Sequence, residues 1–388
     1  MSKILFIAKG LHPPWATGEA SYARGVLRSL LINNDVKLIS TVDMHRIPRA
    51  DKEDIENFKD ILKVTDGEYI EIDHNVFVQD PLRFISNDTN YEEIHLIYPN
   101  LLPNKLYSIT KYVTKYVYVP PPSFARGLLT SMVYHLESLR NPNLKIAFTS
   151  NNSAQQYRFT RKNMLIIPPT IDTEMFRRYN VNNDIIDILS KANYRYGIDN
   201  IRDAKEIILY MGWLVYERMP YDIVLDAFKR LLLEHSNALL LIIGRESEKF
   251  YNEEGNANAI IREAKRLGIE NNISVVLKEL NEREKVQILN ASNALFLPLL
   301  NKRFNPPIVD PPIILLESMA CELPVITSNV LSISDVLNAN FNDLLIDKLT
   351  KDELYSRFKF VLESDIGKEL RNIIEKRFSI SSVAKLFN

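Results

Sequence analysis

Glu317 is the one ionisable side chain in the first apolar run of DPPIILLESMACELPVIT, residues 310–327. Two prolines precede it, and proline is tolerated in the first turn of a helix. The pattern therefore predicts a helix from about Pro312 to Cys321, with Glu317 on the face shared by Ile313, Ala320 and Cys321. A carboxylate on such a face must find hydrogen-bond donors or change its protonation equilibrium. Position alone leaves two readings even: an internal salt bridge, or an acceptor for ligand hydroxyls such as a ribose diol.

Four cations fall in loops that leave strand-like runs. They are Arg218 in MGWLVYERMPYD (211–222), Arg245 in GRESEK (244–249), and Lys302 and Arg303 in NKRFNPPIVDPP (301–312). A lone loop arginine is usually just solvated. Four of them at the carboxyl ends of neighbouring strands, beside helix N-termini, predict a di-anionic or pyrophosphate ligand. The first loop, GLHPPWATGEA (10–20), brings Gly18 to the start of a helix, which suits a phosphate or acceptor contact as well as it suits a plain loop.

Other chemistries are excluded by what the sequence lacks. The six histidines form no H-x-x-x-H or H-E-x-x-H pair, so no metal site is predicted. No D-x-D occurs to clamp a metal–diphosphate. His12 in the first loop and His95 in EIHLIYP are candidates to line a ligand cleft, although a lone histidine is more often structural. G-x-G-x-x-G and G-x-x-x-x-G-K-[ST] are both absent, against a nicotinamide-dependent enzyme and a P-loop NTPase. The single cysteine, Cys321, excludes an intramolecular disulfide framework.

The elements that would position these residues alternate strand and helix. Strand-like runs are KILFIA (3–8), VKLIST (36–41), YIEID (69–73), IHLIYP (94–99), YVYVP (116–120), KIAFTS (145–150) and MLIIPP (164–169). SYARGVLRSLLIN (21–33) reads as the first helix, with Ser21 its cap. After Pro168 and Pro169 and a helical stretch over about 181–196, the alternation restarts. Strands at 206–212, 238–244, 273–280, 294–299 and 324–327 then enclose helices at 221–235, 257–268 and 282–292. This is the pattern of two doubly wound, Rossmann-like α/β domains facing an interdomain cleft, in which ligands gather at strand carboxyl ends. A length of 388 residues, 46% apolar content and a net charge of −1 fit two soluble domains with no global field for nucleic acid. No apolar stretch approaches the roughly 18 residues of a membrane span.

The order of these motifs resembles the retaining glycosyltransferases of the GT-B fold, in particular glycosyltransferase family 4, over nearly the whole chain. Gly18-Glu19 stand where that family has its first-loop Gly-Glu or Gly-Gly. IIPPTIDTEMF (166–176) is similar to its interdomain junction, and GWLVYERMPYDIVLDAF (212–228) to its "GRL…KG" segment, with Trp213 for the usual arginine and Arg218 for the usual lysine. LLIIGRE (240–246) is similar to "LLIVG.G". DPPIILLESMACELPVI (310–326) is the strongest likeness: Glu317 takes the second glutamate of E-x7-E, the first falls on Val309, and Asp310 stands one residue late.

The resemblance implies an acceptor-binding domain over 1–168, a nucleotide-sugar-binding domain over 169–365 and a C-terminal helix, 366–388, crossing back to the first domain. It implies a hexosyltransferase that needs no metal or other cofactor and retains anomeric configuration. The donor would be a UDP- or GDP-hexose and the acceptor a sugar, lipid or glycan. Arg218 would neutralise the diphosphate, Glu317 would hold the ribose and Asp310 would face the sugar. Gly212, Trp213, Gly244, Arg245, Lys278, Arg303, Pro311, Pro312 and Ile313 would complete the donor site, and Gly18, Glu19, His12 and His95 the acceptor or phosphate loop. A cytoplasmic protein is expected, with peripheral contact at the inner membrane face if the acceptor is a lipid. The alternatives are a GT-B-like protein that binds a nucleotide-sugar without transfer, and a sugar-nucleotide epimerase.

Overall fold

The computed structural model describes residues 2–11, 18–42, 69–85, 91–97, 114–118, 135–155, 163–180, 185–216, 218–246, 255–299, 309–330, 332–337 and 339–387. The chain divides into two compact units. The first comprises Met1–Asp172, Lys302–Ile313 and Lys376–Asn388, and the second Thr173–Asn301 and Ile314–Glu375. The sequence places residues 302–313 in the second domain and starts the returning segment at 366. Both assignments differ from the observed units, which take 302–313 into the first and begin its last segment at Lys376.

The first unit is built on seven parallel strands: β1 (Lys3–Lys9), β2 (Asp35–Val42), β3 (Tyr69–Asp73), β4 (Glu93–Ile97), β5 (Thr114–Tyr118), β6 (Leu144–Phe148) and β7 (Met164–Ile166). Their order is β3-β2-β1-β4-β5-β6-β7. A parallel sheet is covered on both faces, so its strands read as continuous apolar runs rather than alternating ones. Ile4 to Ala8 are accordingly all buried. One face carries Leu5, Ile7, Ile39, Leu96, Val117, Ile146 and Phe148 in a single cluster with Phe77. The helix Gly18–Leu30 buries Tyr22, Ala23, Val26, Leu27 and Leu30. At Gly25 a Cβ would come 2.5 Å from the Thr170 carbonyl oxygen, so only glycine admits that approach. Tyr22 donates its hydroxyl to the Ile167 carbonyl at 2.7 Å, and Ile171 N–H bonds the Phe378 carbonyl at 2.7 Å. These bonds seat the junction and the C-terminal segment in the first unit.

The second unit holds β8 (Tyr194–Tyr196), β9 (Glu206–Trp213), β10 (Ala238–Arg245), β11 (Ile273–Leu277), β12 (Ala294–Leu297), β13 (Val325–Ser328) and β14 (Leu345–Ile346). Their order is β14-β13-β12-β9-β10-β11-β8, parallel except for β8, which runs antiparallel to β11. In both sheets the first full strand of the unit sits beside the fourth, β1 beside β4 and β9 beside β12. That is the switch point at which doubly wound sheets open a ligand crevice beyond their strand ends. The helix termini of the second unit differ in their chemistry. Asn281 and Glu284 form a capping box on the helix Glu282–Ala291. Gly268, left-handed at φ 71°, closes the helix Asn256–Leu267. Tyr221–Leu231 starts after Pro220 without a side-chain cap.

Element identity follows the sequence reading, with shifts. The first helix begins at Gly18 rather than Ser21. The stretch 181–196 is not one helix: its described part is a helix, Ile185–Ser190, followed by β8. Tyr-Arg-Tyr is a three-residue edge strand recruited by β11, and nothing in so short a run separates it from helix. Among the described residues no helix is long and apolar enough to cross a membrane.

Candidate functional site

The second sheet places its candidate residues from the strand ends outward. β9 and β10 are in register, Gly212 opposite Gly244 and Trp213 opposite Arg245. A Cβ on Gly244 would lie 2.1 Å from the Gly212 carbonyl oxygen, so this strand end closes only around glycine. Trp213 leaves β9 with its side chain exposed, and Tyr210 donates its hydroxyl to the Trp213 carbonyl at 2.7 Å. The loop then turns through Arg218, whose N–H bonds the Val215 carbonyl at 2.9 Å, into the helix Tyr221–Leu231. Burial raises the Tyr210 phenol, and the positive charge of Arg218 partly opposes that rise.

The cations of this unit sort by whether a carboxylate already holds them. Arg245 is paired with Glu279 at 2.5 Å and lies over the Trp213 ring, 5.8 Å from its centroid. Lys278 is paired with Glu284 at 3.0 Å, the residue that also closes the capping box. Among the described residues no carboxylate pairs with Arg218. Lys302, Arg303 and His12 lie outside the described residues.

Glu317 sits on the helix Ile313–Ala320, and its side chain is 3% exposed. Lys285, from the helix Glu282–Ala291, places its ammonium 2.6 and 2.7 Å from the two carboxylate oxygens. The salt-bridge reading of Glu317 is thus present in the geometry, and it leaves the carboxylate further acceptor positions. Lys285 was not among the residues singled out by sequence. Its signal was available: a lysine on a helix whose neighbours Val286, Ile288 and Leu289 are apolar cannot point wholly to solvent. Beside the pair, the Cys321 thiol is pushed up to about 12 by burial and then by the Glu317 charge. A thiol so placed is a poor nucleophile.

Asp310 is placed differently from its expected position facing a donor sugar. It groups with the first unit, together with Pro311, Pro312 and Ile313. It is 1% exposed and accepts hydrogen bonds from Ser150 at 2.9 Å and Ser153 at 3.5 Å, in the turn that follows β6. Val309, where E-x7-E has its first glutamate, rests 3.6 Å from the position of a Cβ on Gly18. The carboxylate is held by hydroxyl donors of the first unit because TSNNS, residues 149–153, supplies them, a contact no local pattern announces.

His95 is likewise internal. Its ring is wholly buried, with Nδ1 2.8 Å from the Tyr118 hydroxyl and Nε2 3.0 Å from Glu93. It stacks on Tyr116 at 4.3 Å. Both ring nitrogens are engaged, so the expectation that His95 lines a cleft gives way to a structural role. Glu19, in the first turn of the helix Gly18–Leu30, is half-buried; burial raises its carboxyl, opposed by Lys9. Among the described residues no three His, Cys, Asp or Glu side chains group as a metal site.

Comparison with known proteins bears on this arrangement. Residues 197–378 match the family model "Glycosyl transferases group 1". No curated protein matches the sequence. Among solved structures, Anabaena HepE in complex with UDP and glucose superposes with a TM-score of 0.67 at 12% identity, over 100% of this chain and 98% of that one. Sucrose-phosphate synthase from Thermosynechococcus elongatus gives 0.66 at 13%, over 100% and 97%. A glycosyltransferase from Rickettsia africae gives 0.64 at 13%, over 99% and 96%. At these identities the likeness shows the fold, and the fold is GT-B: two Rossmann-like α/β domains.

Proposed function

We propose that the chain is a glycosyltransferase that moves a hexose from a nucleoside-diphosphate sugar to an acceptor hydroxyl. The observation that carries this is Arg218. It is a guanidinium with no carboxylate partner among the described residues, at the carboxyl end of the switch strand β9 and ahead of an uncapped helix start. Such a position suits a diphosphate, because guanidinium and helix N-terminus both favour negative charge there. The match of residues 197–378 to glycosyl transferases group 1 and the UDP-bound neighbour support the same ligand class.

In this reading the second unit binds the donor, with Glu317 on the ribose and Arg218 on the diphosphate, and the first unit binds the acceptor. Transfer proceeds with retention through an oxocarbenium-like transition state. Negative charge grows on the departing diphosphate, and a fixed guanidinium stabilises that charge more than the ground state, which is what lowers the barrier. Arg218 supplies this charge without a metal. Trp213 replaces one expected phosphate cation, and Arg245 answers to Glu279, so Arg218 carries most of this burden.

The test is transfer and donor hydrolysis with UDP-, GDP- and ADP-hexoses, in the wild type and in Arg218→Ala and Glu317→Ala. Loss of a charged hydrogen bond of about 1.5–3 kcal/mol predicts a drop of roughly 10- to 150-fold in kcat/KM for Arg218→Ala. Unchanged activity in both variants sinks the site. An epimerised donor formed without acceptor replaces transfer by epimerisation.

A further inference from the structure

We infer that Lys285 is the positioning residue of Glu317, holding its carboxylate as a rigid double acceptor for the vicinal hydroxyls of a ribose; this rests on the reading of the second unit as a nucleotide-sugar-binding domain. The first support is bond accounting. An ionised carboxylate offers about four lone-pair sites. Lys285 takes one on each oxygen, at 2.6 and 2.7 Å. No other hydrogen-bond donor reaches Glu317 among the described residues. Two acceptor positions therefore stay open on a group 3% exposed, and a neutral pair of hydroxyl donors fits them where a second cation would meet the Lys285 charge.

The second support is rigidity. A binding group must be held by neighbours whose own geometry is fixed. The Lys285 ammonium lies 5.4 Å from the Phe176 ring centroid, which fixes it from another side. Its helix is fixed at the start by the Asn281–Glu284 capping box. Near the end, the Asn290 amide donates to the Arg177 carbonyl at 3.0 Å and accepts from Tyr179 N–H at 2.9 Å. The helix that carries Glu317 is held at its last turn by Arg371, which donates to the carbonyls of Ala320 at 2.6 Å and Phe176 at 3.1 Å. Both partners of the pair thus stand on elements tied to one segment, 176–179. The third support is cost. A buried ion pair is often no more stable than an apolar pair of the same volume, so a pair kept in an apolar wall calls for a role besides stability.

The experiment is calorimetric titration of the full chain with UDP, GDP and ADP, and with the 2′,3′-dideoxy form of each. The wild type is expected to bind one of the three, and to bind its dideoxy form about tenfold or more weakly, the loss of one charge-assisted hydrogen bond or more. Lys285→Met is expected to bind both forms alike, with its affinity for the dideoxy form unchanged because the diphosphate contacts are intact. Lys285→Arg is expected to restore the discrimination. Should Lys285→Met not fold, Lys285→Gln keeps a neutral donor beside Glu317 without the ammonium and is expected to weaken the discrimination likewise. Wild-type discrimination persisting in Lys285→Met or in Lys285→Gln overturns the inference. A wild type that binds a nucleoside diphosphate but ignores its ribose hydroxyls also overturns it, and leaves the donor reading standing. A wild type that binds none of the three overturns both.

Discussion

His95 ties the stability of the first unit to pH. Its ring is wholly buried between Glu93 and Tyr118, and burial lowers its proton affinity from the ordinary value of 6.5, with the hydrogen bond to Glu93 opposing the shift. The unfolded chain then binds more protons than the folded one just below 6.5, so stability rises with pH across that window and is lost as pH falls through it. The melting temperature is expected to fall from pH 7.5 to about 5, and the fall to flatten in His95→Gln, which keeps hydrogen-bonding capacity without the titration. An unchanged slope in that variant would remove His95 as the cause. Glu19 works against this trend at lower pH: its raised carboxyl makes the folded state bind more protons around and above 4.5, so stability there decreases as pH rises. At this scale residue type was legible and partnership was not. Arg218 and Glu317 stand out by what they are and where they fall. That Arg245 belongs to Glu279, Lys278 to Glu284 and Glu317 to Lys285 depends on side chains up to 34 residues apart, brought together by strand pairing and helix packing.

Between elements, packing outweighs charge. The helix Tyr221–Leu231 meets the helix Lys351–Glu363 through both kinds of contact. Phe358 is wholly buried and meets Phe228 edge-on at 6.4 Å and Phe296 at 5.1 Å. Around it the surface is laced with ion pairs: Arg230 with Asp352 at 2.6 Å, Lys359 with Glu234 at 2.5 Å, and Lys351 with Asp226. Exposed pairs contribute little and are screened by salt. Truncating a buried phenylalanine costs about 3–5 kcal/mol in lost transfer energy and cavity. Phe358→Ala is therefore expected to lower the denaturation midpoint far more than Lys351→Ala or Arg230→Ala, and 1 M NaCl to change the wild type little. A lysine variant as damaging as Phe358→Ala would show that the charges, not the rings, dock this helix. Elements of this kind were the most legible part of the sequence. YDIVLDAFKRLLLEH carries its apolar stripe at helical spacing, and the buried strands are unbroken apolar runs. β8 escaped because a three-residue antiparallel edge strand has neither length nor alternation to declare itself.

The course of the chain through the whole molecule was the least legible feature. Residues 302–313 leave the second unit after β12, group with the first, and return as the helix that bears Glu317. Sequence order assigns such a stretch to the domain on either side of it, and only the tertiary partners of Val309 and Asp310 say otherwise. Asp310 makes the consequence measurable. A carboxylate 1% exposed depends on its donors, and Ser150 at 2.9 Å makes a shorter bond to it than Ser153 at 3.5 Å. Removing one donor from a buried charged acceptor costs about 1–3 kcal/mol. Ser150→Ala is thus expected to lower the urea midpoint by that free energy divided by an unchanged slope, because the folded state exposes no new surface. Ser153 shares the acceptor and bonds Ser150 at 3.0 Å, so the double variant should cost less than the sum of the singles. Strict additivity would mean that the two serines act separately and that Asp310 is held in the first unit by other contacts.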